Sequence, residues 1–229
     1  MTQQLPTATQ KALSLPELLT PIFERIYIDN DTTVYNPPGD PDDEIYRNYE
    51  WTLRSCALVN TTWSPHALRI LWRCDNPCYN NDHLGRLECI SPERRAFYAE
   101  MVEEMTVKTH QAPEDWDIAV PNFGVNGIEF PRLKMLRLKV DFLAPVIPAF
   151  RAPSLRELRI DPHTEYYPDM RVEAETMGMV FEKIADLFPN IEILAFEDCA
   201  EVRCEDYKHL IDRLHCLKTV DGGGLMVTD

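Results

Sequence analysis

The segment PRLKMLRLKV, residues 131–140, decides the fold, because Leu133, Leu136 and Leu138 follow a proline with the spacing Leu-x-x-Leu-x-Leu. Equivalent apolar spacing occurs in Val102-x-x-Met105-x-Val107, Leu155-x-x-Leu158-x-Ile160 and Ile191-x-x-Leu194-x-Phe196. Side chains alternate between the two faces of a strand. Each segment therefore predicts a strand with one apolar face.

The predicted strands are spaced like the units of an irregular repeat. They begin at residues 102, 133, 155 and 191, and a degenerate fifth begins at Leu217. Amphipathic helices are predicted between them from three sets of apolar residues: Tyr98, Met101, Val102 and Met105; Met177, Val180, Phe181, Ile184 and Leu187; and Tyr207, Leu210, Ile211 and Leu214. Leucine-rich repeats have a typical period of about 20 to 29 residues. The pattern predicts such repeats, stacked so that each buries what it could not bury alone.

The N-terminal part of the chain predicts a different, helical organisation. Ser14 with Glu17 three residues later is typical of a capping box at a helix start. The apolar residues that follow at helical spacing are Leu18, Leu19, Ile22, Phe23 and Ile26. Pro21 lacks a backbone N–H and its ring clashes with the preceding turn. We therefore expect a kink at Pro21, or a second helix start capped by Thr20.

Two further helices are predicted before residue 75. Leu53, Cys56, Ala57 and Val59 form a short helical pattern between Trp51 and Asn60. Ser64 followed by Pro65 then predicts a new helix, with a capping serine and a proline at the first helical position, that runs to about Arg73. The first part of the chain is thus predicted to be a small all-helical module.

These N-terminal helices together resemble an F-box. The resemblance is carried by Leu15-Pro16-Glu17-Leu18-Leu19, Ile22-Phe23, Leu53, Cys56-Ala57-Leu58-Val59-Asn60-Thr61-Thr62-Trp63 and Leu71-Trp72-Arg73. They follow the family's Val-Cys-x-x-Trp, with Asn60 in place of the cysteine, and its closing aromatic and basic pair. They resemble its Leu-Pro-x-Glu-Leu, although Glu17 follows Pro16 directly. With the repeats behind it, the chain is similar to F-box/leucine-rich-repeat proteins over roughly residues 13 to 222.

The resemblance implies a noncatalytic substrate receptor of an SCF-type ubiquitin ligase. In that family the F-box docks on the Skp adaptor, and through it on a cullin-RING ligase, while the repeats present a protein target. The adaptor-binding residues it implies are Leu15, Pro16, Leu18, Leu19, Ile22, Phe23, Leu58, Val59, Trp63, Leu71 and Trp72. One alternative is that these residues pack onto the first repeat. Another is a repeat scaffold that recruits no ligase.

The predicted fold class is α+β with an α-β solenoid. Residues 1–12 are expected to be disordered, and residues 13–75 to form a three-helix F-box-like module. An acidic loop is expected at 29–50, where the family usually has a short turn. A short, irregular leucine-rich-repeat horseshoe is expected at 90–224.

A candidate target-binding surface follows from the strand alternation. The residues predicted to face the concave side are Thr106, Lys108, Arg137, Lys139, Arg159, Asp161, Ala195 and Glu197. Four of them are cations: Lys108, Arg137, Lys139 and Arg159. Arginine clusters receive acidic or phosphorylated segments of other proteins. This surface is predicted to do the same, the alternative being a solvated strand face with no ligand.

Charge and cysteine usage limit the partners and the compartment. The 229 residues carry 38 acidic and 23 basic side chains, a formal net charge of −15, which argues against nucleic acid or an anionic membrane as the main partner. The longest apolar stretch, Phe142–Phe150, is too short to span a bilayer. Seven scattered cysteines and an N-terminus without a signal-peptide pattern predict a reducing compartment, the cytoplasm or the nucleus.

No metal, cofactor or enzyme site is predicted. Cys74, Cys78, His83 and Cys89 resemble a zinc knuckle, but two of the gaps are one residue too long; ordinary thiols are the favoured interpretation, as for Cys199 and Cys204. Gly-x-Ser-x-Gly, Walker A, His-Glu-x-x-His and Gly-x-Gly-x-x-Gly signatures are missing. The glycine run 222–224 is predicted to be a flexible exit from the last repeat.

Overall fold

The computed structural model describes residues 7, 11, 13, 15–31, 48–73, 86–87, 89–109, 127–140, 147, 149–162, 174–197, 200–223 and 225–228. The chain divides into two units, Met1–Cys74 and Asp75–Asp229. Most of the predicted disordered segment 1–12 lies outside the described residues. The middle of the predicted acidic loop also lies outside the described residues. The prediction of a loop over 29–50 is wrong at both ends, because one helix continues to Asp31 and the next begins at Asn48.

The described part of the first unit contains the helices α1 (Pro16–Asp31), α2 (Asn48–Val59) and α3 (Trp63–Arg73), one for each helix predicted before residue 75. Their buried faces meet in one apolar cluster. Its buried members are Leu19 and Phe23 of α1, Leu53 of α2, and Ala67 and Ile70 of α3. Because all three helices contribute, the unit has a core of its own.

Helix α1 passes through Pro21 without a second start, so that alternative was wrong. The helix begins at Pro16, where the missing N–H costs nothing because the first N–H groups of a helix have no internal partner. Thr20, expected to cap a second helix, is instead hydrogen-bonded through Oγ1 to His66 Nδ1 of α3 at 2.9 Å. Packing on both sides of Pro21, by Leu19 and Phe23, supports the continuous helix. The predicted cap, Ser14, lies outside the described residues.

The cap of α3 is Asn60, and the prediction of Ser64 was wrong. Asn60 Oδ1 accepts hydrogen bonds from the backbone N–H groups of Thr62 at 2.8 Å and Trp63 at 2.9 Å. The Asn60 carbonyl accepts the N–H of Ser64 at 3.1 Å. These are the bonds that a capping residue makes, so Ser64 already lies inside the helix.

The described part of the second unit contains both helices and strands. In chain order its elements are α4 (Pro92–Ala99), β1 (Glu104–Thr109), β2 (Met135–Val140), β3 (Glu157–Pro162), α5 (Ala174–Leu187), β4 (Ile193–Phe196), β5 (Ala200–Arg203), α6 (Cys204–Arg213), β6 (Thr219–Asp221) and β7 (Leu225–Thr228). Helices α5 and α6 confirm the apolar patterns from Met177 and from Tyr207. The helix predicted from Tyr98, Met101, Val102 and Met105 is wrong, because α4 ends at Ala99 and Met105 belongs to β1.

The strands predicted from the leucine spacing are confirmed and form one parallel sheet. In the described chain its order is β1-β2-β3-β4-β6, so neighbours in space follow one another in sequence except at the last pair, where β5 lies between β4 and β6 along the chain. Leu136 pairs with Met105 on one side and with Leu158 on the other, and Leu158 pairs with Leu194. The leucine positions therefore stand in register across the sheet.

One face of this sheet is buried. Its side chains are Met105, Val107, Leu136, Leu138, Leu158, Ile160, Leu194 and Phe196. Helix α5 packs on this side, where the rings of Phe181 and Phe196 lie 6.0 Å apart in an edge-to-face arrangement. The opposite face is described below as the open sheet face.

The same backbone bonds recur where each strand begins. The carbonyl of Glu103 accepts the N–H groups of Lys134 and Met135, and the carbonyl of Lys134 accepts those of Arg156 and Glu157. The carbonyl of Arg156 likewise accepts the N–H groups of Glu192 and Ile193, and the carbonyl of Glu192 accepts those of Lys218 and Thr219. One carbonyl thus aligns each strand with the next.

Strands β5 and β7 form a second, two-stranded parallel sheet that the sequence did not predict. Ala195 pairs with Asp221, and pairing resumes where Ala200 meets Leu225, so one more residue lies between Ala195 and Ala200 than between Asp221 and Leu225. The glycine run 222–224 therefore joins two strands and is not an exit. Ordered structure continues to Thr228, beyond the predicted boundary at 224.

Candidate adaptor-binding and target-binding surfaces

Helix α1 has two apolar faces. Leu19 and Phe23 are each 1% exposed, whereas Leu15, Leu18 and Ile22, in and just before the same helix, are 48%, 44% and 42% exposed. Residues three and four apart lie on one side of a helix, so these three side chains form a continuous outward row. If α1 only covered the core of its own unit, its outward face would be expected to carry polar side chains.

A second exposed apolar pair lies where α2 ends. Leu58 is 86% exposed and Val59 is 58% exposed. The turn that follows is connected to the start of α1, because Trp63 Nε1 donates a 2.8 Å hydrogen bond to the carbonyl of Leu13. The Trp63 ring also lies 5.7 Å from that of Phe23. The pair and the outward row therefore belong to neighbouring parts of the unit.

The structure divides the eleven predicted adaptor-binding residues into two groups. Six are exposed and are called the outward stripe: Leu15, Pro16, Leu18, Ile22, Leu58 and Val59. Leu19, Phe23 and Trp72 are buried, and Trp63 and Leu71 are half-buried against the core. The prediction that all eleven present contact surface is wrong for the buried three, because the helical period turns them inward. Leu13, 37% exposed, was missed as a surface residue.

The half-buried Cys56 lies against the unit's core, on α2. Burial raises the pKa of its thiol, and a hydrogen bond with its own backbone opposes this effect only partly. A raised pKa keeps the thiol protonated and unreactive near neutral pH. Cys56 therefore behaves as a packing residue of the core.

The open sheet face consists of residues in three rows across the strands. The first row is Glu104, Met135, Glu157, Ile193 and Thr219; the second is Thr106, Arg137, Arg159, Ala195 and Asp221; the third begins with Lys108, Lys139 and Asp161. Glu197 extends the third row, because its N–H donates to the carbonyl of Ile160 at 2.9 Å. The register thus places all eight predicted concave positions on this one face. For Lys108 the placement rests on the backbone pairing alone.

The cations of this face are paired with carboxylates, contrary to the prediction of a cationic patch. Arg137 donates to Glu197 Oε1 from Nη2 at 2.8 Å and from Nε at 3.2 Å. Arg159 donates from Nε to Glu157 at 2.7 Å and from Nη1 to the same Glu197 Oε1 at 3.4 Å. Lys139 lies 3.7 Å from Asp161. The Lys108 side chain lies outside the described residues.

The network has one centre, where both arginines meet Glu197. The Glu157 hydrogen bond, followed by its charge and the bond to Glu197, raises the pKa of the Arg159 guanidinium, while partial burial opposes the rise. Arg159 is therefore charged at every physiological pH. The Arg137 and Glu197 side chains are each 25% exposed, so water still reaches this centre.

A second charged network runs along the starts of the strands. Glu103 binds Arg132 at 3.0 Å and Lys134 at 2.9 Å. Glu192 binds Lys218 at 2.6 Å and Arg156 at 3.2 Å. The hydrogen bond from Lys218 lowers the pKa of Glu192, with smaller contributions from the charges of Lys218 and Arg156. Sequence analysis missed this network, although a charged residue immediately before each strand was its visible signal.

Two open depressions in the described part of the strand unit are large enough for a small molecule. One, of about 420 Å³, is lined by residues that include Phe150, Arg151 and Phe188, and a second, of about 650 Å³, includes Arg95 and Glu100. Among the described residues, no group of three or more His, Cys, Asp or Glu side chains could hold a metal ion. Of the zinc-knuckle residues, Cys74, Cys78 and His83 lie outside the described residues, and Cys89 is an exposed free thiol.

The two surfaces are thus an apolar stripe on the helical unit and a sheet face on the strand unit whose arginines are paired with carboxylates. Within the part of the chain that the structure describes, no helix has the length and apolar character needed to cross a membrane. Comparisons with protein-family models, with curated proteins and with solved structures found no match.

Proposed function

We propose that the chain is the substrate-recognition subunit of an SCF-type cullin-RING ubiquitin ligase, acting in the cytoplasm or the nucleus. The helical unit docks on the Skp adaptor, and the strand unit binds a protein target. The chain itself is noncatalytic, because the ubiquitin chemistry belongs to its partners. The outward stripe is the observation that carries this proposal.

The outward stripe coincides with the residues on which the F-box resemblance rests. Leu15, Pro16 and Leu18 belong to the segment that resembles Leu-Pro-x-Glu-Leu, and Val59, preceded by Leu58, begins the segment that resembles Val-Cys-x-x-Trp. The buried members of the same motif form the core instead. This division supports the proposal, because a docking module needs inward residues to fold and outward residues to bind.

Burial of the stripe in a partner yields enough free energy for a specific complex. Full burial of a Leu, Ile or Val side chain stabilises by roughly 1.5–3 kcal/mol. Leu15, Leu18 and Ile22 each retain nearly half of their surface for a partner, and Leu58 retains most of it. Each of the first three is therefore expected to contribute about 1 kcal/mol on docking.

Capture of the Skp adaptor by the purified chain tests the proposal. The variant Leu15→Ala/Leu18→Ala/Ile22→Ala is expected to weaken capture about 100-fold, since three contributions of about 1 kcal/mol are lost. Met179→Ala is the matched control, because Met179 is 49% exposed but lies on α5 of the other unit. This control should capture the adaptor like the native chain.

The possible results separate the two functions under consideration. Loss of capture in the triple variant, with an unchanged circular dichroism spectrum, supports the ligase receptor. No capture by the native chain contradicts it and leaves a repeat scaffold that recruits no ligase. Equal weakening by Met179→Ala also contradicts it, because the stripe would then have no special role.

A further inference from the structure

Strand β6 lies at an open edge of the five-stranded sheet. Among the described residues it has one neighbouring strand, β4, so its other side carries no strand. The N–H of Thr219 donates to the Glu192 carbonyl at 3.1 Å, so the backbone groups of Thr219 face β4. Successive residues of a strand direct their N–H and C=O groups to opposite sides. Those of Val220 therefore point outward from the edge, where Val220 is 37% exposed.

The backbone of this edge continues a series that is occupied at the earlier strands. The Glu192 carbonyl accepts the N–H groups of Lys218 and Thr219 at the start of β6, as earlier carbonyls do at the strands before it. Lys218 holds the next place in the series. No N–H group of the described chain donates to its carbonyl. The edge thus offers an acceptor at Lys218 and both a donor and an acceptor at Val220, which is what a further parallel strand needs.

We infer that this edge binds an extended segment of the protein target, which pairs with β6 as an added parallel strand. The inference rests on the proposed function, in which the strand unit binds the target. Strand addition to an exposed sheet edge is a general mode of peptide recognition. Main-chain hydrogen bonds supply affinity in this mode, and alternate side chains supply specificity. The neighbouring rows of the sheet therefore define which segment fits.

Two apolar residues are required of the segment. Leu194 and Val220 are in register, and Leu194 is buried, so the residue that extends this row beyond Val220 must be apolar. Three positions earlier, the buried Ile191 is followed in the equivalent place by the half-buried Leu217. The residue that extends this second row is apolar for the same reason. The segment thus contains an apolar pair with the spacing apolar-x-x-apolar.

Asp221 adds a requirement for a cation. It follows Val220 and is exposed on the open sheet face. The contact that the structure gives its carboxylate is a 3.3 Å hydrogen bond from the Gly223 N–H, which leaves its charge unbalanced. Lys218 is bound to Glu192 instead. Opposite charges directly across a strand pair stabilise the pairing. The segment residue next to Asp221 is therefore Lys or Arg.

The complete pattern is apolar-x-x-apolar-basic. The chain's own sheet contains it twice, in Leu133-x-x-Leu136-Arg137 and in Leu155-x-x-Leu158-Arg159. Both segments run parallel to their neighbours and place their second leucine in the buried row. A segment with this pattern can therefore pair in the geometry that the edge presents.

Hydrogen exchange of the full chain in the presence of a peptide tests the inference. The probe is acetyl-Leu-Thr-Thr-Leu-Arg-Thr-amide, and the readout is the exchange rate of each backbone amide, measured by NMR. At a peptide concentration about ten times the Kd, exchange at the Val220 N–H should slow about tenfold, because this group gains a partner. The Thr219 N–H should change little, since it is already bonded to Glu192.

Two N-methylated peptides provide a matched comparison. In parallel pairing, the arginine N–H donates to the outward Val220 carbonyl, whereas the N–H of the leucine before it points away from β6. Methylation of the arginine backbone nitrogen should therefore abolish the slowing. Methylation of that leucine nitrogen should preserve it.

Asp221→Asn tests the requirement for a basic residue. The substitution keeps the acceptor for the Gly223 N–H but removes the charge, so peptide binding should weaken about twofold to fivefold. Glu182→Gln changes the net charge by the same amount, but Glu182 is exposed on α5. This control should bind the peptide like the native chain.

Each contrary result would overturn the inference. An unchanged Val220 exchange rate with the unmodified peptide would show that the edge binds no strand, and equal effects of the two N-methylated peptides would exclude parallel pairing in this register. Equal weakening by Asp221→Asn and Glu182→Gln would exclude a specific role of Asp221. Concentration-dependent protection of Val220 without peptide would identify a second copy of the chain as the occupant. Adaptor capture by Asp221→Asn should be unchanged, so failure here is distinguishable from failure of the proposed function.

Discussion

Trp63 connects the α2–α3 turn to the segment before α1, because its Nε1 donates a 2.8 Å hydrogen bond to the backbone carbonyl of Leu13. Trp63→Phe keeps an aromatic ring beside Phe23 but removes this donor. A single such bond contributes about 0.5–1.5 kcal/mol. We expect the free energy of unfolding of the helical unit to fall by that amount in a urea titration followed at 222 nm.

Trp63→Ala is the companion variant. It removes both the hydrogen bond and the ring contact, so its loss should exceed that of Trp63→Phe by about 1–3 kcal/mol. Equal losses in the two variants would mean that the ring contact contributes nothing, and no loss in Trp63→Phe would mean that the bond to Leu13 is unimportant.

Phe23 and Ile22 are adjacent in sequence but have opposite roles. Phe23 is buried with Leu19, Leu53 and Ile70, whereas Ile22 faces outward. Phe23→Ala should destabilise the helical unit by about 3–5 kcal/mol because it leaves a cavity in the core. Ile22→Ala should change stability by no more than about 0.5 kcal/mol. Thermal unfolding of the two variants under the same conditions compares them directly.

The adaptor-capture assay should rank these two variants in another way. Ile22→Ala is expected to weaken adaptor capture while leaving the fold intact. Phe23→Ala is expected to lose capture only under conditions in which the helical unit of that variant is unfolded. A folded Phe23→Ala chain with normal stability would show that the core assignment of α1 is incorrect.

Asn60, and not Ser64, is the residue whose loss should weaken α3. Replacement of a capping side chain by Ala costs about 0.5–2 kcal/mol, so Asn60→Ala should lower the free energy of unfolding by that amount. Ser64→Ala is the control. It should be nearly neutral, since Ser64 lies inside the helix and its N–H already bonds to the Asn60 carbonyl. A larger loss in Ser64→Ala than in Asn60→Ala would restore the cap predicted from the sequence.

The strands of the main sheet were predictable because their signal is local. Leu136 and Leu138, with their equivalents in β3 and β4, point to one face within six residues of chain. Strands β5 and β7 lack this signal. Val202 is the single buried apolar side chain described in β5. Strand β7 pairs with β5 although more than 20 residues of chain separate them. Residue patterns within one short segment could not indicate that pairing.

The site was predictable in its positions but not in its electrostatics. Alternation along a strand placed Arg137 and Arg159 correctly in one row. It could not reveal that both bind Glu197, since Arg137 and Glu197 are 60 residues apart and meet only through the register of three strands. The expected cationic patch was therefore wrong, because the arginines of this face are paired with carboxylates.

The last prediction concerns Glu192, whose lowered pKa depends first on Lys218. A carboxylate with a lower pKa in the folded state than in the unfolded state stabilises the fold above the unfolded pKa, about 4.3. This contribution is lost as the pH falls from that value through the folded pKa. Lys218→Met removes the 2.6 Å hydrogen bond and should move the pKa of Glu192 back toward its ordinary value, as measured by NMR titration of the side-chain carboxyl carbon. Arg156 also faces Glu192, so Arg156→Met should raise the same pKa by less. A larger effect of Arg156→Met, or an unchanged pKa in Lys218→Met, would contradict the assignment of the hydrogen bond as the main cause.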